Sequence, residues 1–162
     1  MLIRDAGPDD LPGILTIHNE AVLNSTAVWD EETVDIPDRR AWLEGRQEAG
    51  FPVLVAVEGD TVAGYASYGT WRTKSGYRHT VENSVYVHAD HHRKGIATSL
   101  MTELIARARD GEVHAMVANI EATNVTSVAL HERFGFRVVG QLPEVGVKFG
   151  RWLDLTIMQL TL

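Results

Sequence analysis

A short basic segment, residues 93–97, holds the residues best suited to bind an anion in this sequence. It reads Arg-Lys-Gly-Ile-Ala, and it joins a β-branched and aromatic run at residues 84–87 to a stretch whose apolar residues have helical spacing. A helix that starts here presents unpaired backbone N–H groups and the positive end of its dipole, to which Arg93 and Lys94 add charge. The segment predicts binding of a phosphate or pyrophosphate. An ordinary capped helix after a turn is the alternative.

The charge of the whole chain is acidic, with a formal net charge of −7 at pH 7. A nucleic-acid-binding protein needs a broad basic surface to neutralise phosphates, so we expect no nucleic-acid partner. Against this background Arg72, Lys74 and Arg78 form a second basic group and a second candidate anion site. Solvated surface charge is the alternative for this group.

The residues just before the basic segment raise a metal hypothesis. His88, Asp90, His91 and His92 carry side chains of the kinds that bind zinc. Adjacent side chains of a strand point to opposite faces, and no second group of ligands follows at helical spacing. We therefore expect a turn beside an anion site at this position, and no metal.

Length and composition predict a single domain spanning residues 1–162. The 162 residues contain no repeat and no linker-like stretch, and they are enough to bury a substantial core. Cysteine is absent, so disulfides and thiolate ligands are excluded. No apolar segment has the length of a signal peptide's apolar region or of a bilayer-spanning helix, so we expect a cytoplasmic protein that does not bind membranes.

Apolar periodicity predicts the element order β, α, α, β, β, β, α, β, α, β, β. The predicted strands are residues 2–4, 52–57, 61–68, 80–87, 113–118, 136–140 and 152–160, and the predicted helices are residues 11–23, 37–47, 94–109 and 125–134. A loop around residues 143–146 is expected between the last two strands. An antiparallel meander combined with βαβ crossovers indicates an α+β or mixed α/β sheet with helices on both faces.

The basic segment and four further blocks resemble one protein family. Residues 92–97, His-Arg-Lys-Gly-Ile-Ala, are similar to the acetyl-CoA signature Arg/Gln-x-x-Gly-x-Gly/Ala of the GCN5-related N-acetyltransferases (GNAT), with histidine at the first position. Four blocks resemble the phosphinothricin and methionine sulfone or sulfoximine acetyltransferases of that family, and they are residues 64–72 with Tyr77, 80–87, 130–136 and 146–154. The resemblance extends over nearly the whole chain and implies the GNAT fold, with a central, mostly antiparallel twisted sheet.

The resemblance implies that a neutral amine attacks the thioester of acetyl-CoA, so a group must take a proton from the ammonium. Glu82 matches the family's catalytic glutamate. His131 lies where many N-acetyltransferases have a tyrosine that protonates the CoA thiolate, and both acid and base roles stay open for its imidazole.

The resemblance also implies how the cofactor is held. The backbone of Val85, Tyr86 and Val87 would pair with the pantetheine arm as a further strand would. The amides that would hold the pyrophosphate are those of Arg93, Lys94, Gly95, Ile96, Ala97 and Thr98. Asn124 matches an asparagine that bonds the pantetheine, and Arg133 lies near the expected nucleotide end. No metal is implied.

For the acceptor, the resemblance implies a small amino acid whose side chain ends in a phosphinate, sulfone or sulfoximine. Its implied neighbours are Arg72, Thr73 and Lys74 on one side, Glu82, Asn83 and Ser84 on the other, and Trp29, Tyr77 and Lys148 as further walls. Because family members are usually homodimers, Lys148 could come from a partner subunit. The alternatives are acetylation of a protein N-terminus or another amine, and a non-enzymatic CoA-binding sensor, against which the presence of both Glu82 and His131 argues.

Overall fold

One seven-stranded sheet with helices on both faces makes up the computed structural model, which describes residues 1–162. The strands are β1 (Leu2–Asp5), β2 (Val53–Glu58), β3 (Thr61–Thr70), β4 (Thr80–Val87), β5 (Ala115–Glu121), β6 (Arg137–Lys148) and β7 (Arg151–Thr161). The helices are α1 (Leu11–Asn24), α2 (Ile36–Glu48), α3 (Ile96–Asp110) and α4 (Val125–Arg133). The strand order across the sheet is β1-β2-β3-β4-β5-β7-β6. None of the helices is long and apolar enough to cross a lipid bilayer.

The pairing of β4 with β5 is the one parallel contact in the sheet, and it is short. Residues 80–82 of β4 pair with residues 115–117 of β5, and there the pairing ends. On their other sides β4 stays paired with β3 up to Val87, and β5 stays paired with β7 up to Glu121. The two strands therefore separate beyond Glu82 and leave a V-shaped gap whose facing edges have unpaired backbone groups.

Alternating side chains of the strands bury two apolar layers. Leu54 and Ala56 of β2 belong to the larger cluster, which α3 covers, whereas Val53 and Val55 belong to the smaller cluster under α1 and α2. Leu130 of α4 joins the larger cluster. Helices thus lie on both faces of the sheet, and the predicted mixed α/β architecture is confirmed.

The last hairpin differs from the prediction. Residues 143–146 do not form its loop, because β6 continues through them to Lys148 with a register shift between Leu142 and Gly146. Proline lacks the N–H that a central strand needs, but an edge strand with a bulge tolerates it, and Pro143 lies in such a strand. The chain instead turns at Phe149 and Gly150, whose φ angles are 53° and 72°.

The start of α3 also differs, by two residues. Arg93 and Gly95 have φ angles of 66° and 75°, which a right-handed helix does not allow, so α3 begins at Ile96 and not at Lys94. The apolar stripe that predicted this helix is buried as expected and consists of Ile96, Leu100, Met101, Leu104, Ile105 and Ala108.

Candidate active site

A cavity of about 250 Å³ lies in the gap between β4 and β5. Three elements and one loop line it with residues 82–86 of β4, 118–121 of β5, Asn124, Ser127 and His131 of the α4 region, and residues 27–29 after α1. Glu82 and His131, which lie 49 positions apart in the sequence, are both part of this lining. The structure therefore brings the two predicted proton-transfer groups to one cavity.

The carboxylate of Glu82 is half-buried and held from one side. Its Oε1 accepts a hydrogen bond from Asn119 Nδ2 at 2.7 Å, and its second oxygen makes no hydrogen bond within the chain. Asn119 is a functional neighbour that the sequence analysis missed. It directly follows the apolar run predicted as a strand, and a polar residue at the end of such a run is the signal that could have found it.

The ring of His131 is only 2% exposed and is hydrogen-bonded at both nitrogens. Nδ1 lies 2.7 Å from the carbonyl oxygen of Ser127, which can only accept, so Nδ1 carries the proton. Nε2 accepts from Asn83 Nδ2 at 3.1 Å. Burial lowers the pKa of His131, so the structure holds a neutral imidazole with its lone pair directed at Asn83.

The partner of His131 has an unused acceptor. Asn83 is 7% exposed, and its Oδ1 is buried without a hydrogen-bond partner. A turn of the amide would direct Oδ1 at Nε2 and would favour a protonated ring.

The lowered pKa of His131 makes stability depend on pH. Because the folded-state pKa of His131 lies below 6.5, the unfolded chain takes up a proton on this ring first on acidification. The ring's contribution to stability is therefore present above pH 6.5 and is lost as the pH falls toward the folded-state pKa.

We predict that Asn83→Asp raises the pKa of His131 by about one unit or more, because a carboxylate beside Nε2 favours the charged ring. The measurement is an NMR titration of the histidine ring resonances. His18 is the internal control, since burial also lowers its pKa and it lies on α1, so its titration should not move. An unchanged His131 titration, or a wild-type ring protonated at Nε2 when neutral, would contradict the assignment.

Glu82 and His131 reach the cavity from opposite faces of the sheet. Val81 packs in the cluster under α3, and Asn83 Nδ2 lies 3.6 Å from the sulfur of Met101 on α3. Side chains alternate along a strand, so Glu82 points to the face covered by α1 and α2. A reacting group in the gap would therefore meet the carboxylate on one side and the imidazole on the other.

The segment before α3 forms a cradle of free amides. The backbone N–H groups of residues 93–98 donate no hydrogen bond within the chain, and the first amide that does is that of Ser99, to the carbonyl of Gly95 at 3.0 Å. A Cβ built on Gly95 would meet no atom within 4 Å, so the space beside this glycine is open. His92 folds back onto β4, where its Nε2 donates to the carbonyl of Val87 at 3.1 Å.

The remaining predicted site residues fall into two groups. Trp29, Ser84, Val85, Tyr86 and Asn124 line the cavity, and Asn124 also caps α4 by accepting from Ser127 N at 3.1 Å. Trp29 packs on Gly146, where any Cβ would overlap the indole. The residues that do not line the cavity are Val87 at the end of β4, Arg72, Thr73, Lys74 and Tyr77 in the exposed loop from β3 to β4, and Arg133 at the exposed end of α4.

Comparison with known proteins places this geometry in a family. A family model described as "Acetyltransferase (GNAT) family" matches residues 14–136. The chain belongs to the GNAT acetyltransferases. The resemblance seen in the sequence is confirmed, and the fold agrees with it.

Three similar proteins support this membership of the GNAT family over the full length of the chain. The L-methionine sulfoximine/L-methionine sulfone acetyltransferase of Pseudomonas paraeruginosa is 55% identical over 161 residues, which are 99% of this chain and 94% of that protein. The structure of an acetyltransferase from Salmonella typhimurium with its cofactor acetyl-CoA matches with a TM-score of 0.98 and 52% identity, covering 99% and 93% of the two chains. The ribosomal-protein-alanine N-acetyltransferase of Brucella melitensis matches with a TM-score of 0.99 and 51% identity over 100% of both chains.

Lys148 does not lie at the wall of an acceptor site, where the sequence analysis predicted it. Its side chain is 0% exposed, and Nζ donates to the carbonyl oxygens of Ala21, Ser25 and Val28 at 3.4, 2.7 and 2.5 Å. These carbonyls belong to the last turn of α1 and the loop after it, where helix carbonyls lack partners. Burial lowers the pKa of Lys148. The prediction of Lys148 as an acceptor wall, from this chain or a partner, was therefore wrong, because the ammonium is enclosed as a cap within the chain.

We predict that Lys148→Met lowers the free energy of unfolding by about 2–4 kcal/mol, because it leaves three carbonyls without a donor. For a domain of this size the melting temperature should fall by about 5–10 °C. Thermal unfolding followed by circular dichroism measures this. Arg137→Met is the matched control on β6, since Arg137 is exposed and its replacement should change the melting temperature little. Equal melting temperatures for the two variants would contradict the role as a cap.

The histidines before α3 face different partners. His91 Nδ1 lies 3.0 Å from Glu58 Oε2, His92 bonds the Val87 carbonyl, and His88 Nδ1 accepts from the amide of Asp90 at 3.1 Å. The structure contains no group of three or more histidine, cysteine, aspartate or glutamate side chains that could hold a metal ion.

Proposed function

We propose that this GNAT enzyme transfers the acetyl group of acetyl-CoA to the α-amino group of a small amino acid of the methionine sulfone or sulfoximine type. The observation that carries the proposal is the cavity between β4 and β5, which a carboxylate and a neutral imidazole line together, and the run of free amides at the start of α3. The substrate class follows from the name of the 55% identical Pseudomonas paraeruginosa relative. Phosphinothricin stays a candidate acceptor.

Acetyl-CoA fits the free edges of the gap. The edge of β4 that faces β5 has no strand partner beyond Glu82, so the backbone of Val85, Tyr86 and Val87 can bond an extended pantetheine arm there. The amides of residues 93–98 suit the pyrophosphate, since they are unpaired and lie at a helix start. The Nδ2 of Asn124 can donate to the arm, and Arg133 can pair with the nucleotide end.

In this arrangement Glu82 takes a proton from the substrate ammonium, directly or through one water molecule. The amine nitrogen then attacks the thioester carbon, the new C–N bond forms, and the C–S bond breaks to release the CoA thiolate. The attacking nitrogen loses its second proton in this step, and that proton ends on the thiolate, carried by His131 or a water molecule. His131 lies on the thiolate side. Its Nε2 accepts a hydrogen bond at rest, so it can pass a proton to sulfur only after taking one up, with Asn83 turned to offer Oδ1.

We propose that the loop of Arg72, Thr73, Lys74 and Tyr77 binds the oxygen-rich end of the acceptor. We also propose that the active enzyme is a homodimer. The support is an exposed apolar surface on the outer hairpin of the sheet, made of Val138, Val139, Leu142, Val145, Val147, Phe149 and Trp152. Monomeric proteins rarely leave a surface of this kind uncovered on an edge strand. A second copy of the chain would cover it.

We predict that Trp152→Asp combined with Val147→Asp gives a monomer. The two side chains are cross-strand neighbours and are 66% and 55% exposed, so two carboxylates there would repel a second copy. Light scattering coupled to size-exclusion chromatography measures the molar mass. Leu23→Asp is the control, because Leu23 is an exposed apolar residue on α1, outside this surface. A wild-type protein that is monomeric at micromolar concentration would contradict the dimer.

The experiment that tests the function is thiol release from acetyl-CoA, followed with a chromogenic thiol reagent. The chain has no cysteine, so the signal reports only CoA. The acceptors are methionine sulfone, methionine sulfoximine, phosphinothricin, a polyamine and a short peptide with an N-terminal alanine. We expect turnover with the sulfone and sulfoximine. Turnover with the peptide alone would favour the second candidate, protein N-terminal acetylation, which the 51% identical Brucella melitensis protein suggests.

A further inference from the structure

Arg46 on α2 is a half-buried cation that has no carboxylate partner. Arg4, Arg39 and Arg107 each contact a carboxylate at 2.8–2.9 Å. The one hydrogen bond of the Arg46 side chain is from Nη1 to Ser67 Oγ at 3.3 Å, although a guanidinium has five donors. Burial lowers the pKa of Arg46, and the negative charge of Glu82 acts in the opposite direction.

The guanidinium of Arg46 lies beside the proposed base. It rests on Gly69, where any added Cβ would overlap it. Gly69 is the cross-strand partner of Glu82, and such partners have Cβ positions about 5 Å apart on the same face of a sheet. Glu82 is also the carboxylate whose attraction acts most strongly on the charge of Arg46. The two groups nevertheless form no ion pair within 4.0 Å, so there is space between them.

We propose that Arg46 binds the α-carboxylate of the acceptor amino acid while Glu82 receives the proton from its α-amino group. This assignment rests on the proposed function. The two substrate groups are attached to the same carbon, so a site for an amino acid needs a cation close to the base. A substrate carboxylate beside Glu82 would also be repelled unless a cation lay near both, and Arg46 meets that requirement. Arg72 and Lys74 are then free to bind the far end of the substrate.

The glycine at position 69 has a defined purpose in this arrangement. Any larger residue there would displace the guanidinium from its place over β3. Trp42 of α2 lies beside the guanidinium, with its ring centre 5.8 Å from Cζ of Arg46. An arginine held in this way can form two parallel hydrogen bonds to a carboxylate at small entropic cost.

The test compares methionine sulfone with its carboxamide, in which a neutral amide of similar shape replaces the negatively charged carboxylate. The kcat/KM of the wild type should be on the order of a hundredfold higher for the acid than for the amide. The acid forms a charge-assisted pair with Arg46, whereas the amide leaves the arginine without a carboxylate partner. Arg46→Gln should lower kcat/KM for the acid by a similar factor, mainly through KM, and bring the ratio close to one. Arg46→Lys should restore part of the preference.

Arg39→Gln is the matched control, because Arg39 lies on the same helix and over the same Trp42 ring but pairs with Asp38 at 2.9 Å. It should keep the wild-type ratio. Acetyl-CoA affinity and the melting temperature of each variant report on folding. If Arg46→Gln and Arg46→Lys lowered kcat/KM equally for the acid and the amide, so that the acid-to-amide ratio of kcat/KM stayed at the wild-type value, the inference would be overturned. The proposed function would then still stand. If the wild-type enzyme acetylated none of the free amino acids, both the inference and the proposed function would be overturned.

Discussion

Replacing Glu82 with glutamine is expected to lower kcat by on the order of a hundredfold or more and to leave the affinity for acetyl-CoA unchanged. Glutamine keeps an oxygen that can accept from Asn119, so the side chain can stay where the carboxylate lies. What it loses is the ability to take a proton from the acceptor. Steady-state thiol release gives kcat, and equilibrium binding of acetyl-CoA gives the affinity.

Glu103→Gln is the matched control for Glu82→Gln. Glu103 is a partly exposed carboxylate on α3 that accepts one side-chain hydrogen bond, from Arg107 at 2.8 Å, and it lies outside the cavity. Its replacement should leave kcat within about twofold of the wild type. If Glu82→Gln weakened turnover and acetyl-CoA binding to the same degree, Glu82 would have a structural role and not a proton-transfer role.

Replacing Gly95 with leucine is expected to weaken acetyl-CoA binding by about tenfold or more, which corresponds to about 1.4 kcal/mol or more. The space in front of Gly95 contains no atom of the chain, so the new side chain would project into the region where the free amides would hold a pyrophosphate. Isothermal titration of the variant with acetyl-CoA measures the loss.

Backbone strain alone could also affect the Gly95 variant, and Gly59→Leu separates the two causes. Gly59 has a φ of 60°, close to the 75° of Gly95, and it too has no atom within 4 Å of an added Cβ. Leucine at either position carries a left-handed strain of roughly 1–2 kcal/mol. Gly59 lies in the turn between β2 and β3, so its variant should lose stability but keep acetyl-CoA affinity. Equal losses of acetyl-CoA affinity in both variants would contradict the assignment of residues 93–98 as the pyrophosphate site.

Periodicity in the sequence predicted most of the elements, because it reports which side of a segment is buried. It placed β4 with the bounds that the structure has, and it found all four helices within two residues of their starts. The last hairpin was misjudged because Pro143 is a turn signal whose effect depends on whether the strand is central or at an edge. That distinction is a property of the assembled sheet.

The cavity was only partly predictable, for a similar reason. Glu82 and His131 could be identified from local blocks, whereas the bond from Asn119 to Glu82 and the bond from Asn83 to His131 depend on how distant elements are placed. Lys148 shows the limit most clearly. A lysine near the end of a strand has the same local sequence pattern in both cases. Its ammonium can face solvent, or it can donate hydrogen bonds to three backbone carbonyls more than a hundred residues away, as it does here.

The brief contact between β4 and β5 has a thermodynamic consequence. The sheet consists of two well-paired halves, β1 to β4 and β5 to β7, that are joined through only three residue pairs. A ligand that lies along the open edge of β4 adds contacts between these halves to those of the three strand pairs and of the apolar cluster that both halves share. Its binding free energy is then partly folding free energy, so cosubstrate concentration and resistance to unfolding are linked quantities in this protein.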